Sequence, residues 1–282
     1  MLDFRNYKDL NYINALCFNS LIKIPSDIDL IVCIPRSGYI FGTILGEYLR
    51  KPVVSLFDFL NNTESIKLRK ASLSPDYPIN VKHILLFDDA MGLGETMNTA
   101  KQKIIENNKE VKITTCVIFV EPYSVNKVDI YFQIFKDQFL PWNILKRGIN
   151  RGCIDMDGFL CEDVPKGIDD DGEKYINFIK QSKQKFVPDK KLKYIVTGRL
   201  EKYRKITENW LKEHNIEYEK LIMCPAKNHE ERRKINPAKY KANFYKQSDA
   251  LIFIESNYNE ARIINEITKK PVYCSDICEM II

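Results

Sequence analysis

Two pairs of aspartates in this sequence lie at the ends of apolar runs, where an ionised carboxylate is destabilised unless a ligand binds it. Asp88 and Asp89 end one apolar run and are followed by glycines and a threonine. Asp155 and Asp157 end a second apolar run, and Gly158 comes directly after them. Neighbouring carboxylates repel each other, and burying one without a partner is unfavourable. Each pair therefore indicates a site whose ligand brings a cation, a phosphate or several hydroxyl groups.

The surroundings of the first pair are those of a phosphate site. The loop at 90–96 contains two glycines, which let backbone N–H groups approach a ligand closely. A helix that begins near Thr96 would favour an anion at its N-terminus. The vicinal hydroxyls of a ribose or a bound Mg2+ would offset the two carboxylates. This stretch therefore predicts a cradle for a ribose 5-phosphate.

The spacing of the second pair suits the cleavage of a phosphate ester. Residues two apart in a strand return to the same face, so both carboxylates can reach one ligand. One of them can attack phosphorus while the other protonates the leaving oxygen. Gly158 permits the tight turn that follows. The pair therefore predicts a site that cleaves a phosphate ester.

The elements that must position these acids are repeated βα units. Short apolar runs alternate with amphipathic segments of helix length, which predicts an α/β fold with mainly parallel sheets. The expected strands of the first half are 29–35, 51–57, 83–89 and 112–122. A length of 282 residues favours two domains. We expect these domains at 1–149 and 150–282, because the strand pattern restarts there.

Composition excludes several classes of protein. With 45% hydrophobic and 29% charged residues, the chain is expected to fold compactly in water. The net charge of +5 is dispersed, which suits small anionic substrates, and no nucleic-acid partner is expected. The eight cysteines lie mostly in apolar runs without a CxxC pair, which indicates reduced thiols in a cytoplasmic protein. No apolar stretch approaches the roughly 20 residues of a spanning helix, so no transmembrane segment is expected.

The stretch HILLFDDAMGLGETM at 83–97 resembles the phosphoribosyl diphosphate (PRPP) signature of type I phosphoribosyltransferases. The upstream stretch IVCIPRSGYIFGTILGEYL at 31–49 is similar to the diphosphate loop of that family, which often carries a non-proline cis peptide. The resemblance covers roughly residues 25–145. It implies that PRPP binds with Mg2+, and that the residues binding it are Arg36, Ser37, Gly38, Asp88, Asp89, Gly92, Gly94, Glu95 and Thr96.

The same resemblance assigns two further parts of the site. The polar segment 58–78 falls where the family has a mobile catalytic loop, which implies that Lys67, Arg69 and Lys70 close over the diphosphate. The segment 121–144 is similar to the hood of purine-type members, which abuts the acceptor. Trp142 is the main candidate for stacking on the acceptor, with Tyr131 and Phe132 as weaker candidates.

The stretch CIDMDGFLCEDVP at 153–165 resembles the first motif of haloacid dehalogenase (HAD) type phosphohydrolases, and the later motifs follow in the family's order over about 150–278. This resemblance implies that Asp155 is the nucleophile and Asp157 the general acid. Thr197 would hold the phosphate, Arg199 would add an anion contact, and Lys241 would stabilise charge, with Lys239 as its competitor. Glu255 stands where the family commonly has an aspartate. The resemblance implies a small or absent cap and a second Mg2+ bound by Asp155, Asp157 and Glu255.

The order of the two halves resembles the dual-domain bacterial ribofuranosyltransferases. Such an enzyme would transfer phosphoribose from PRPP to a glycan hydroxyl and then remove the 5-phosphate, as in surface polysaccharide or O-antigen synthesis. The glycan could be linked to polyprenyl, which would bring the protein to the inner face of the membrane. A homo-oligomer is compatible with the sequence. Two alternatives stay open: a nucleobase phosphoribosyltransferase fused to a 5-nucleotidase, and a PRPP-sensing regulator without catalysis.

Overall fold

The computed structural model describes residues 4–61, 67–68, 77–78, 81–107, 110–137, 139–168 and 172–282. The chain divides into two compact units, of which one is Leu10–Gln138 and the other combines Met1–Asp9 with Phe139–Ile282. Each unit contains a largely parallel sheet with helices, so the expected α/β class is confirmed. Within the described ranges, no helix combines the length and the apolarity that crossing a bilayer requires.

The unit Leu10–Gln138 is built on a five-stranded parallel sheet in the order β2-β1-β5-β6-β7. Its strands are β1 Leu30–Cys33, β2 Val53–Ser55, β5 His83–Met91, β6 Lys112–Val120 and β7 Ile130–Ile134, and a separate antiparallel pair joins β3 Lys67–Leu68 to β4 Tyr77–Pro78. Its helices are α1 Leu10–Asn19, α2 Ser37–Leu49, α3 Leu56–Asn61 and α4 Glu95–Asn107, with 3-10 turns at Leu21–Lys23 and Pro122–Lys127.

Helix α2 lies very close to this sheet because one of its faces carries glycines. A methyl group at Gly42 would lie 2.1 Å from Cys33 Sγ, and one at Gly46 would lie 2.2 Å from Val53 Cγ2. Both distances are far shorter than van der Waals contact, so neither position has room for a side chain. The glycine face thus brings the N-terminus of α2 to the carboxyl end of β5.

The second unit is built on a six-stranded sheet in the order β10-β9-β8-β11-β12-β13, in which only the β12–β13 pair is antiparallel. Its strands are β8 Gly152–Ile154, β9 Leu192–Leu200, β10 Tyr218–Cys224, β11 Ile252–Glu255, β12 Val272–Cys274 and β13 Glu279–Ile281. Its helices are α5 Pro141–Arg147, α6 Glu173–Gln181, α7 Arg204–Glu213, α8 His229–Ile235, α9 Pro237–Gln247 and α10 Tyr258–Thr268, with 3-10 turns at Phe4–Asn6, Ile149–Arg151 and Glu201–Tyr203.

The division between the units differs from the one expected at residue 149. Phe139, Ile144 and Ile149 are buried in the core of the second unit, and so is Phe4 from the start of the chain. The rings of Phe4 and Phe139 meet edge to face with their centroids 4.5 Å apart. Lys8 N also donates to the carbonyl of Phe139 at 3.0 Å. These long-range contacts show that 139–149 and 4–9 belong to the second unit.

Two elements of the first sheet were not expected in their observed form. The run at 51–57 is only partly strand, since β2 stops at Ser55 and α3 begins at Leu56. Residues 130–134 form β7, which pairs with β6, although the sequence suggested only a hood there. The short β7 run has a half-exposed pattern, which gives a weaker sequence signal than a fully buried strand.

Candidate functional site

The acids of the first site lie inside β5 and not at its last residue. The sequence predicted a strand ending at 89, but Ala90 and Met91 still pair with Phe119 and Val120 of β6. The connecting loop is therefore only 92–94, and α4 begins at Glu95. Along the strand, Asp88 is partly buried and Asp89 is only 6% exposed.

The start of α2 contacts both acids. Ser37 Oγ donates to Asp89 Oδ1 at 2.8 Å. A methyl group at Gly38 would lie 2.8 Å from Asp88 Oδ1 and 3.0 Å from Asp88 Cα, so only glycine fits there. The peptide bond between Pro35 and Arg36 is cis. The structure thus brings the two predicted loops together at the carboxyl end of the first sheet, where ligands bind in folds of this kind.

A cleft of about 270 Å3 opens beside Asp88. Its wall combines the end of β5 with the loop and the first turn of α4, and its lining residues are Asp88, Ala90, Met91, Gly92, Leu93, Gly94, Glu95, Thr96 and Met97. Gly94 has a φ of +88°, which is a conformation that glycine adopts without strain. The backbone N–H groups at the start of α4 have no partners within the helix, so the cleft is suited to an anion.

The sequence did not point to a cation that the structure places at this loop. Lys127 Nζ donates to the carbonyl of Leu93 at 3.1 Å, and its side chain is exposed. Its ammonium group can therefore balance part of the negative charge of a ligand in the cleft. A lysine in a polar 3-10 turn has no sequence signal that separates it from other surface lysines.

The electrostatics of the acid pair favour a ligand. Burial, followed by the negative charge of Asp89, raises the pKa of Asp88 to about 9. Asp88 Oδ1 also accepts a hydrogen bond from the backbone N–H of Asp89 at 2.9 Å, which opposes the rise only in part. Hydroxyl donors or a divalent cation at this position would stabilise the ionised form. The carboxylate oxygens of this pair are hard ligands of the kind that Mg2+ prefers.

The other predicted residues of the first site are Arg36, the three cations of the segment 58–78, and Trp142. Arg36 is exposed beside the cis peptide. Arg69 and Lys70 lie outside the described residues, and only the backbone of Lys67 is described, in β3. Trp142 belongs to the unit Phe139–Ile282, whereas the cleft belongs to Leu10–Gln138.

The weaker aromatic candidates also differ from expectation. Phe132 is only 6% exposed and packs near Phe87, so it is a core residue and does not offer a stacking surface. Tyr131 is half-buried against the apolar core of its unit, and its carbonyl accepts a hydrogen bond from Lys23 Nζ.

The second site is centred on a lysine that binds three carboxylates. Lys241 Nζ lies 2.9 Å from Asp155 Oδ1, 2.8 Å from Glu255 Oε2 and 3.0 Å from Glu260 Oε2. Asp155 directly follows β8, Glu255 ends β11, and α9 carries the lysine. Lys241 is only 4% exposed, whereas Lys239 is exposed. Of the two competing lysines, the structure brings Lys241 to the acids.

The pKa values of the groups in this cluster depend on burial and on the charges of their neighbours. Burial would lower the pKa of Lys241, but the negative charges of Asp155, Glu255 and Glu260 outweigh that effect and raise it. Burial and the charge of Glu255 raise the pKa of Asp155 well above its usual range, and Lys241 opposes this rise.

The sequence analysis did not identify Glu260 as a site residue, because an acid in the first turn of a helix is usually explained by the helix dipole.

Glu255 is held by backbone groups on its other side. Glu255 Oε1 accepts hydrogen bonds from the N–H groups of Ser256 at 3.0 Å and Asn257 at 3.2 Å. Ser256 Oγ lies 3.1 Å from the carbonyl oxygen of Asp157, to which it donates, and 3.4 Å from Asp155 Oδ2. This hydroxyl therefore lies between the first acid and the main chain of the second.

The side chain of Asp157 binds an arginine that was expected to bind phosphate. Arg199 Nε donates to both carboxylate oxygens of Asp157 at 3.1 and 3.0 Å, and Nη2 lies 2.6 Å from Oδ1. Arg199 is fully buried. Burial would lower the pKa of Arg199, but the charge and hydrogen bonds of Asp157 raise it. Arg199 is thus a partner of Asp157 in this structure and not an exposed anion contact.

Thr197 is also placed differently from the expectation. It was expected to hold the phosphate, but it lies within β9, which continues to Leu200, and it is fully buried. Its Oγ1 accepts a hydrogen bond from the N–H of Arg199 at 3.1 Å. The backbone of Gly198, next in the chain, lines the cavity instead.

The acids of the second site and Lys241 line an open cavity of about 280 Å3. Its floor holds Asp155, Lys241 and Glu255, and its remaining lining residues are Asp157, Asp163, Val164, Tyr175, Gly198, Arg232, Arg233, Pro237, Ser256, Asn257 and Glu260. The two arginines of α8 were not singled out in the sequence, because HEERRKI has the form of an ordinary solvated helix. The cavity combines a buried carboxylate, a buried ammonium group and two guanidinium groups.

The metal set predicted for this cavity is not assembled by side chains. In the described part of the chain, no group of three or more His, Cys, Asp or Glu side chains is arranged to hold a metal ion. The reason is that the carboxylate of Asp157 faces Arg199. A divalent cation in this cavity would have to be held mainly by the carboxylates of Asp155 and Glu255. Three acids around one lysine also leave an excess of negative charge for such a cation to offset.

No protein-family model matches the chain, and no curated protein matches it. Solved structures of phosphoribosyltransferases are similar to about half of it. A purine phosphoribosyltransferase from Pyrococcus horikoshii Ot3 has 16% identity and a TM-score of 0.37, covering 48% of this chain and 92% of that chain. The Helicobacter pylori xanthine-guanine-hypoxanthine phosphoribosyltransferase has 12% identity and a TM-score of 0.36, covering 49% and 91%. An orotate phosphoribosyltransferase from Aeropyrum pernix has 11% identity and a TM-score of 0.30, covering 47% and 74%.

Proposed function

We propose that the chain transfers a 5-phosphoribosyl group from PRPP to a glycan hydroxyl and then hydrolyses the 5-phosphate to leave a β-ribofuranose. The observation that supports this most is that each unit has a strand leading into a carboxylate at the wall of a cleft. The cleft beside Asp88 has a volume of about 270 Å3, and the cavity at Asp155 has a volume of about 280 Å3. Both volumes suit one sugar phosphate better than a large ligand.

In the first step, the chain holds PRPP at both ends. Asp88 and Asp89 accept hydrogen bonds from the ribose hydroxyls, and the N–H groups of 92–96 bind the 5-phosphate. The loop at 36–38 binds the diphosphate. The acceptor hydroxyl attacks C1 of the ribose as the C1–oxygen bond to diphosphate breaks, which inverts the anomeric carbon from α to β, and the hydroxyl proton passes to the departing diphosphate. Fixed N–H groups around the leaving diphosphate stabilise the charge that develops on it.

In the second step, a carboxylate oxygen of Asp155 attacks phosphorus, and the bond from phosphorus to the ribose O5 breaks. Asp157 supplies the proton to O5, which requires that its carboxyl group leave Arg199. Lys241 holds Asp155 in place and balances the charge of the phosphoryl group. Water then attacks the aspartyl phosphate with Asp157 as base and releases orthophosphate. Mg2+ held by the carboxylates of either site would neutralise part of the negative charge of the phosphate groups.

The glycan acceptor follows from the pairing of the two reactions. Removing the 5-phosphate would undo nucleotide salvage, whereas it completes the transfer of a ribofuranose. If the glycan is linked to polyprenyl, the reaction takes place at the cytoplasmic face of a membrane.

The test is to incubate the purified chain with Mg2+, PRPP and a panel of synthetic glycans, and to read the products by mass spectrometry. The wild-type protein should add one pentose to its acceptor. Asp155→Asn should accumulate the acceptor with a pentose and a phosphate, and Asp89→Asn should leave the acceptor unchanged. Asp163→Asn makes the same chemical change on the cavity wall and should give the same product as the wild type, the acceptor with one pentose and no phosphate.

Three results would contradict the proposal. If Asp155→Asn and Asp89→Asn gave the same product, the two steps would not occur in series. If purines, orotate or uracil consumed PRPP and glycans did not, the chain would be a nucleobase phosphoribosyltransferase. If PRPP bound but released neither diphosphate nor phosphate with any acceptor, the chain would be a sensor.

A further inference from the structure

The charge balance of the cavity in the second unit is unfavourable for a phosphate unless additional cations take part. Five acids line it, namely Asp155, Asp157, Asp163, Glu255 and Glu260. Lys241 lines it too, but its ammonium group already contacts three of these carboxylates. An incoming phosphomonoester carries close to two negative charges at neutral pH. It therefore requires positive charge in addition to that of Lys241.

The only cations besides Lys241 among the described lining residues are Arg232 and Arg233. Arg199 cannot take this part, because it is fully buried and binds the carboxylate of Asp157. The two arginines are consecutive in α8, and Arg233 is exposed. Arg233 Nε donates to His229 Nε2 at 3.1 Å, which leaves the two terminal nitrogens of the guanidinium group for a ligand. A guanidinium group matches the oxygens of a phosphate in geometry as well as in charge.

The turn between α8 and α9 connects these arginines to the catalytic lysine. Asn236 has a φ of 58° and caps α9, accepting a hydrogen bond from the N–H of Lys239 at 3.3 Å. Pro237 begins α9 and lines the cavity, and Lys241 follows in the same helix. One short stretch of chain thus supplies all three cations to one cavity.

We propose that Arg232 and Arg233 bind the phosphate dianion that enters this cavity, in the role for which the sequence suggested Arg199. This inference rests on the proposed hydrolysis of a phosphomonoester by the same site. Arg233 is the main anion contact, and Arg232 adds its charge at the same wall. Both arginines act before the chemical step, so they determine the affinity for substrate and for the orthophosphate product.

The first test compares steady-state kinetics of the full-length variants, with ribose 5-phosphate as the probe. Arg233→Gln should raise KM about tenfold to a hundredfold, which is the usual effect of losing one hydrogen bond to a charged group. The value of kcat should change less than about threefold, because the residue acts in binding. Lys234→Gln removes the same charge from an exposed residue of the same helix outside the cavity, and it should leave both constants unchanged. Arg233→Lys should have a KM between those of the wild type and Arg233→Gln, because it keeps the positive charge.

The second test measures binding of inorganic phosphate by calorimetry and does not depend on turnover. Phosphate should bind the wild type and Lys234→Gln equally, and Arg232→Gln/Arg233→Gln should bind it at least tenfold more weakly. Equal phosphate affinity in all three proteins, or no binding to any of them, would overturn the inference. If phosphate binding falls as expected but no phosphomonoester is hydrolysed by the wild type, the proposed hydrolysis fails and the anion site stands.

Discussion

Replacing Gly38 by alanine tests whether the close approach of α2 to β5 is what holds the first site together. The added methyl group would lie 2.8 Å from Asp88 Oδ1, 3.0 Å from Asp88 Cα and 3.2 Å from the carbonyl oxygen of Phe87. Two of these three neighbours are backbone atoms of a central, buried strand. They cannot move without moving β5, so α2 has to shift by several tenths of an ångström or more.

The expected loss of stability combines two opposing effects. Inserting a methyl group into a packed contact costs about 1–3 kcal/mol, and alanine in a helix recovers at most about 1 kcal/mol relative to glycine. The net destabilisation should be about 1–2 kcal/mol, which lowers the Tm by about 2–8 °C in a chain of this size. The same shift moves Ser37 from Asp89 and displaces Asp88, so affinity for PRPP with Mg2+ should fall at least about tenfold.

Gly92→Ala is the matched control, because it also replaces a glycine of the site. Its methyl group would meet nothing nearer than the hydroxyl of Tyr123 at 4.0 Å. Thermal unfolding should therefore give a Tm close to that of the wild type for this variant. If Gly38→Ala had the same Tm as Gly92→Ala and bound PRPP as tightly as the wild type in calorimetric titration, the close contact would have no role in the site.

Three further outcomes follow from the two clusters. Lys241→Met leaves the buried carboxylates of Asp155 and Glu255 and the half-buried one of Glu260 without their cation, so thermal unfolding should show a loss of about 3–5 kcal/mol, whereas exposed Lys239→Met should have little effect. Because the pKa of Asp88 is about 9 when folded and near 4 when unfolded, the folded state binds more protons between these values. The unfolding free energy of the ligand-free protein should therefore fall as pH rises from about 4 to about 9, and urea titrations of Asp88→Asn should lack this component. Ser37→Ala removes the donor to Asp89 and should weaken PRPP binding about threefold to tenfold in calorimetry without a large change in Tm.

The sequence predicted the positions of the acids better than it predicted their partners. Asp88, Asp89 and Asp155 were expected at the carboxyl ends of strands, and each lies in the last part of a strand or directly after it. That prediction depends on local alternation between apolar runs and helices, which short stretches of sequence contain. The partner of Asp157 is 42 residues away in the chain, and no local pattern contains that information.

The assignment of Arg199 shows the same limit. A residue two positions after Thr197 in a strand was expected to reach a bound anion, but the fold buries it completely. A buried guanidinium group requires a carboxylate within reach, and Asp157 is the one that the packing of β9 beside β8 provides. The sequence alone does not show which of several nearby acids and bases will be brought together.

By itself, the sequence determined the α/β class, the presence of two sheets and the strands that carry the candidate acids, because each depends on residues close together in the chain. Only the tertiary structure decided that Lys241 binds Glu260 as well as the two predicted acids, that two arginines of α8 line the same cavity, and that residues 139–149 pack with the second unit. These outcomes arise from contacts between distant segments. Their energies depend on burial and charge balance in the folded chain, which local periodicity does not record.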